Sequence, residues 1–231
     1  IRWAQFSSFC GLFLNGGHGE RRLWKRSAQE LEIVRKYAWL HTELVPYMYH
    51  YVVTAHNGGT LLQTPLKEGK YHYMFGDDFL IAPIYKDDKN RQISLPTGKW
   101  RYFFGDKELL QGPKSFEKEF SLDEFPVFVK EGAIIPLDVT REYTGLGDKA
   151  SDGFITILIY PENQNSFVYY HPTTAKETRI NYKREGPVLK VALEGAKIPH
   201  ILRIHSSIPP KRVVLDGQDL SSDFWTYDDN Q

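Results

Sequence analysis

The sequence predicts a mainly β fold with helices confined to its N-terminal end, and its second half reads as antiparallel β-sandwich. Three observations carry this reading. A helical period of three to four residues occupies residues 27 to 56 and then stops. From about Tyr71 onward the period becomes two. Aromatic residues, 14% of the chain, concentrate after residue 70 in short runs broken by Gly, Pro and Asp, which is strand-and-turn texture.

The elements follow in order. Ile1-Arg2-Trp3-Ala4-Gln5-Phe6 opens directly into an amphipathic helical pattern with no Ser, Thr, Asp or Asn ahead of it. A start cut inside a longer protein is therefore expected. Ser27-Ala28-Gln29-Glu30 is a capping box, in which the Ser hydroxyl accepts from the third amide while Glu30 reaches back. Leu31, Val34, Ala38, His41, Val45 and Met48 then form one stripe. Pro46 removes a backbone donor inside that stripe, so a kink or short break is expected near Val45. Asn57-Gly58-Gly59 supplies the left-handed residues of a helix stop.

Phe79 to Ile84 is a short apolar strand. Gln92 to Leu95 and Lys99 to Phe103 alternate around Pro96-Thr97-Gly98 and predict a hairpin. Phe125 to Val129 and Ala133 to Ile135 predict a second pair around Glu131-Gly132. Thr140 to Gly153 is polar and glycine-rich, a linker or long loop. Six strands are then expected at 155–160, 166–170, 178–182, 188–193, 200–204 and 212–215, a spacing that suggests an antiparallel sandwich.

Composition narrows the function. Lys plus Arg equals Asp plus Glu, 29 each, and basic residues never cluster, so no electrostatic case exists for nucleic acid or an acidic membrane surface. The apolar stretches are far shorter than a membrane span needs. Cys10 is the single cysteine, which removes intrachain disulfides and cysteine-pair metal sites and reads as a small buried hydrophobe. No cofactor motif, nucleophile elbow or phosphate-cradling loop occurs. Compartment stays open.

Five segments in order resemble glycoside hydrolase family 31, the α-glucosidase and α-xylosidase family. Arg2 to Phe9 is similar to its Arg-Trp-x-Gln helix, and Leu44 to Tyr49 to its Leu-x-Pro-Tyr-x-Tyr helix. Phe75 to Ile84 resembles its Gly-x-x-Leu-aliphatic-Ala-Pro-Val strand. Leu95 to Trp100 and Pro126 to Pro136 continue the match, while residues 137–231 match in position and strand texture. The resemblance implies that residues 1–66 are the last β/α portion of a (β/α)8 barrel. Two C-terminal antiparallel β-sandwich domains would follow, proximal over 67–139 and distal over 140–231. On that map Leu12-Phe13-Leu14 is the eighth barrel strand and 15–24 the loop after it, where barrel enzymes build their sites.

Retaining glycosidases need two carboxyl groups about 5–5.5 Å apart. In the family both are aspartates in motifs that this sequence lacks, so no catalytic residue is assigned. Asp77-Asp78, Asp87-Asp88 and Asp228-Asp229 read as solvated turns. The resemblance offers His18 as a hydrogen-bonding partner for sugar hydroxyls, beside Glu20 and Arg21 as substrate contacts or loop-anchoring ion pairs. Trp24 is expected as a plug under the last helix. His41, His50 and His56 are spaced too far apart to act together as ligands, and Tyr47, Tyr49 and Tyr51 read as packing.

The expected function is thus that of the C-terminal part of a retaining α-glycoside hydrolase, inactive by itself. Its expected partner is an α-linked oligosaccharide or glycoside. No cofactor, metal, nucleic acid or membrane is expected. An incomplete barrel also predicts self-association or pairing with the missing barrel portion. The alternative is a non-catalytic carbohydrate-binding or structural β-sandwich module, which requires exposed, coplanar aromatics on one sheet face.

Overall fold

The computed structural model describes residues 1–16, 18–19, 22–105 and 108–228. Three helices precede every strand: α1 (Arg2–Ser7), α2 (Ala28–Glu43) and α3 (Val45–His56). The capping box forms as expected, with Ser27 Oγ accepting from the Glu30 amide at 3.2 Å and Glu30 accepting from the Ser27 amide at 3.0 Å. The break before Pro46 also forms, at Leu44, which closes α2 and caps α3. Proline then occupies the first turn of α3, where its missing N–H costs nothing. After α3 the chain stops through Gly58 at φ +81°.

The strands are β1 (Gln63–Pro65), β2 (Tyr73–Phe75), β3 (Phe79–Ile81), β4 (Asn90–Tyr102), β5 (Leu110–Glu119), β6 (Val127–Lys130) and β7 (Ile134–Leu137). β8 (Ile155–Ile159), β9 (Gln164–Tyr170), β10 (Glu177–Glu185), β11 (Val188–Gly195) and β12 (His200–Ile204) follow, then the short β13 (Val214–Leu215) and β14 (Gln218–Asp219). Among the described residues they form a six-stranded antiparallel sheet in the order β1-β2-β3-β6-β4-β5. Two three-stranded sheets, β11-β10-β9 and β12-β8-β7, and the β13-β14 hairpin complete the fold. The protein is mainly β, with few helices and several antiparallel sheets.

Alternation in β3 shows how the large sheet is used. Phe79 and Ile81 join the main core with Phe9, Tyr37, Tyr47 and Phe75. Leu80 points the other way, into a second cluster with Ile93, Trp100 and Phe128. The main core also takes in Ile134, Ile157, Phe167 and Tyr182, so the helices, the large sheet and both small sheets share one apolar interior. The expected division at 66/67 falls between paired strands β1 and β2, and that at 139/140 between paired strands β7 and β8.

Four local expectations need correction. The hairpin over 92–103 is one long strand: β4 runs through Pro96-Thr97-Gly98 as an irregularity, where its pairing with β5 shifts between Leu95 and Gly98. Gly98 takes φ +133° there, and Gly112 opposite lies so close that an added Cβ would sit 1.9 Å from the Pro96 carbonyl oxygen. The turn residues bulge the strand instead of reversing it. Second, β6 and β7 do not pair with each other. Gly132, at φ +100°, redirects the chain from the large sheet into another sheet, where β7 pairs with β8. Third, β12 pairs with β8 in parallel, so the C-terminal strands are not wholly antiparallel. Finally, Leu12-Phe13-Leu14, expected as a strand, is irregular chain with no ladder partner among the described residues.

Candidate functional site

The loop singled out by the sequence lies between α1 and α2. Its footing is built by α1. Arg2 donates to the carbonyls of Glu124, Phe120 and Ser121 at 2.5, 3.1 and 3.0 Å, and Gln5 donates to Leu122 and Glu124 at 2.9 and 3.2 Å. The Arg and Gln of the Arg-Trp-x-Gln segment are thus clamps on the β5–β6 loop and not ligands for a small molecule. Ser8 adds a bond to the Tyr37 carbonyl at 2.7 Å, and Tyr73 reaches the Phe9 carbonyl at 2.8 Å.

Beyond this clamp the chain turns outward. Phe13 packs on the His41 ring at 5.6 Å, while Leu12 and Leu14 are exposed. His18 is exposed, and Arg22 folds back to donate to the Gly19 carbonyl at 3.0 Å. Glu20 and Arg21 lie outside the described residues. Trp24, expected to plug the last helix, is instead 73% exposed. It sits in the short 3-10 turn that delivers the chain to Ser27, a turn with no buried residue. Trp3 on α1 is likewise 70% exposed.

Among the described residues no group of three or more His, Cys, Asp or Glu has a metal-holding arrangement. His41 contacts the Ser8 carbonyl at 3.3 Å, His50 caps the edge of β9 through the Val168 carbonyl at 2.8 Å, and His56 is exposed. They are separate, as their spacing implied. Cys10 is half-buried, and burial pushes its thiol pKa up.

The polar centre that sequence reasoning missed lies under α3. Tyr47 donates to the Asp78 carboxylate at 3.1 Å and receives the Asp78 amide at 3.3 Å, while Tyr51 receives the Asp77 amide at 2.9 Å. Asp77 is exposed as expected, while Asp78 is buried, which corrects the solvated-turn reading for that residue. Burial raises its pKa to about 7, against the pull of Tyr47. Gly76, at φ +60°, makes this possible: an added Cβ would lie 2.2 Å from the Tyr47 hydroxyl. Two tyrosines four apart on a helix and a Gly-Asp-Asp turn were the available signal. What was missing was their pairing, a contact across 31 residues. Tyr49 is exposed, so of the three tyrosines two pack and one does not. Asp87, Asp88 and Asp228 are exposed as expected, and Asp229 lies outside the described residues.

A second buried carboxyl closes α2. Among the described residues neither Glu43 oxygen makes a hydrogen bond of good geometry, with Thr144 the near polar neighbour. Burial pushes its pKa up to about 7, with Thr144 pulling it back and Asp138 adding to the rise. Both carboxyls serve the seam between helices and strands and have no access for a substrate.

The outer face of β9-β10-β11 carries a shallow groove of about 510 Å³ lined by Gln164, Ser166, Asn181, Lys183, Lys190 and Ala192. It offers amides and ammonium groups; the one aromatic at its lining, Tyr182, is buried and presents no exposed ring. Trp225 and Tyr227 are half-buried, the latter reaching the Ser206 carbonyl at 3.5 Å. The coplanar aromatics that a stand-alone sugar-binding module requires are absent from this sheet face.

Residues 46–135 match the glycosyl hydrolase family 31 C-terminal domain. The chain is 31% identical over 185 residues to a 1,6-alpha-glucosyltransferase of Sporosarcina globispora, covering 73% of this chain and 14% of that protein. It is 27% identical to an alpha-xylosidase of Saccharolobus solfataricus, covering 74% of this chain and 24% of that protein. To alpha-glucosidase 2 of Bacillus thermoamyloliquefaciens it is 25% identical, covering 96% of this chain and 32% of that protein. Its fold superimposes on a family 31 dextranase of Flavobacterium johnsoniae, solved with isomaltotriose, at a TM-score of 0.79 and 27% identity. That match covers 95% of this chain and 31% of the dextranase. The chain therefore spans a third or less of the length of these relatives, and it is a C-terminal part of a glycoside hydrolase family 31 protein.

Proposed function

We propose that the chain belongs to a retaining α-glycoside hydrolase, α-glucosidase-like, and supplies the end of its barrel, one substrate loop and the two β-sandwich units that follow. In this reading residues 1–66 are the barrel remnant, 67–139 the proximal unit and 140–231 the distal unit. The observation that carries it is α1 with its clamp. Arg2 and Gln5 spend their hydrogen bonds on the β5–β6 loop, yet the same helix leaves Trp3 uncovered, and Leu12, Leu14 and Trp24 in the segment after it are exposed as well. A surface of that kind suits a missing neighbour, and the rest of a barrel is the neighbour the relatives' greater length supplies. An α-linked oligosaccharide or glycoside is the substrate of that whole enzyme. His18, Glu20 and Arg21 are its contacts from this chain, with both catalytic aspartates on chain outside these residues.

The test is direct. The 231-residue chain is expected to release no p-nitrophenol from p-nitrophenyl α-glucoside or α-xyloside, and robust turnover by it alone would sink the reading. Addition of the barrel portion of a family 31 relative is expected to bind the exposed tryptophan surface. Trp3→Ser with Trp24→Ser should abolish that association in sedimentation velocity. Self-association of the isolated chain through the same surface would appear there as a concentration-dependent sedimentation coefficient, lost in the same variant.

A further inference from the structure

We infer that the exposed corner formed by Tyr71 and Tyr85 is a second binding site for a neutral glucan chain, apart from the His18 loop and outside any catalytic pocket. The choice of a glucan rests on the α-glycosidase reading; the site itself rests on the geometry.

Tyr71 has φ +61°, a left-handed backbone that a bulky aromatic rarely adopts. Among the described residues the other non-glycine residue with positive φ is Asp216, in the Asp216-Gly217 turn between β13 and β14, where such turns are ordinary. Tyr71 stands in the longer loop, residues 66–72, that joins the antiparallel pair β1 and β2, in a turn closed by the His72 amide on the Gly69 carbonyl, where a bulky ring takes a φ that glycine would carry freely. Strain of this sort persists only where the surroundings hold it, and here they do. The Leu66 amide donates to the His72 carbonyl at 3.0 Å and the His72 amide to the Gly69 carbonyl at 3.2 Å. His72 is buried, and its Nε2 accepts from the Ser94 amide at 3.2 Å. Buried Arg91 donates to the carbonyls of Lys70 and Ala82, tying the turn to the next loop.

This rigid base presents two rings to solvent. Tyr71 is 61% exposed and Tyr85 41% exposed. Their centroids lie 4.7 Å apart with planes at 85°, so they form a floor and a wall. Arg91 backs the Tyr85 ring at 5.0 Å, and Lys70 lies 5.3 Å from one ring and 5.2 Å from the other. A rigid tyrosine offers a large amphipathic contact at low entropy cost, and the C–H face of a pyranose stacks on such a ring. The rim decides the ligand's charge. Lys70, Lys86 and Arg91 lie 5.2, 5.9 and 5.0 Å from the Tyr85 ring, and exposed Lys67, Glu68, Asp87 and Asp88 flank them in sequence; together they supply donors and acceptors for hydroxyls with an excess of one positive charge, which the comparison with dextran sulfate weighs.

Tyr71→Gly separates binding from folding, because glycine adopts the same φ without strain. The wild-type chain should be retarded in native gels cast with soluble dextran, relative to gels without it. Tyr71→Gly should keep or raise the urea midpoint while its dissociation constant for dextran rises at least about tenfold; Tyr85→Ser should weaken binding by a smaller factor. No retardation of the wild type overturns the site, as does equal retardation of Tyr71→Gly. Stronger retardation by dextran sulfate than by dextran overturns the neutral ligand. In the assembled enzyme Tyr71→Gly should leave turnover of p-nitrophenyl glycosides unchanged. Loss of glucan binding with turnover intact, or the reverse, therefore shows which of the two readings has failed.

Discussion

Two neighbouring stretches of the N-terminal third obey opposite rules. In residues 28–56 the polar groups are used internally: Ser27 caps α2, Tyr37 reaches the Asp123 carbonyl at 2.9 Å, and Tyr47 and Tyr51 hold the Gly76-Asp77-Asp78 turn. In residues 11–26 Leu12, Leu14 and Trp24 face outward and Arg22 bonds locally to Gly19. A helix carries its own backbone hydrogen bonds and needs only one apolar face covered, which the large sheet provides. A strand needs a partner edge for its backbone hydrogen bonds, and Leu12 to Leu14 find none among the described residues. The difference separates what this chain stabilises by itself from what awaits another surface.

That contrast can be broken most severely at Gly76. Gly76→Ala forces a Cβ against the Tyr47 hydroxyl and Tyr51 ring at a positive φ, and should cost about 3–5 kcal/mol in urea unfolding. A loss below about 1 kcal/mol would mean that the helix–sheet seam is softer than argued. Tyr47→Phe removes the bond into the buried Asp78 carboxylate and should cost about 2–3 kcal/mol, while raising the pKa of Asp78 further. The measurement is the pH dependence of unfolding; an unchanged profile would show that Tyr47 does not hold that carboxylate.

Glu43 sharpens the comparison in the other direction, since it is an imperfection inside the satisfied region. Its pKa rises from 4.5 to about 7 on folding, so the native chain keeps the proton at a pH where the unfolded chain has lost it. The contribution is fully present below about 4.5 and is lost as pH rises through about 7. Glu43→Met replaces an orphaned carboxyl by an apolar side chain. It should stabilise the protein by about 1–3 kcal/mol at pH 8 and flatten the fall in melting temperature between pH 5 and 8. Destabilisation at pH 8 would reveal a partner for that carboxylate. The smallest effect belongs to the exposed loop: His18→Ala should move stability by less than about 0.5 kcal/mol. A larger loss in calorimetry would show the loop to be built into the fold.

Local rules read well where local physics decides. The capping box, the break before Pro46, the stop at Gly58 and the six C-terminal strands were all legible, because each depends on residues within one or two turns. The errors share another cause. Pro96-Thr97-Gly98 has a turn's composition, but the ten residues of β5 pair along both sides of it and keep β4 straight enough to continue. Glu131-Gly132 has a hairpin's composition, but Ile134 to Leu137 find better cover against β8. Trp24 has the character of a plug, but its site has nothing to fill.

For the candidate site the division is similar. The motif residues Arg2, Gln5, Pro46, Tyr47 and Gly76 were visible as a pattern, and the sequence alone sufficed to connect this chain with family 31. Their work was not visible. Arg2 and Gln5 grip carbonyls about 120 residues away, and Asp78 is buried by a helix 31 residues before it. Composition and spacing determine which segments become helix or strand, because caps, prolines and glycines act over a few bonds. Which side chain is buried, which ring stays exposed at Tyr71, and where a strand finds its partner depend on contacts distant in sequence. Those are set only when the whole core closes.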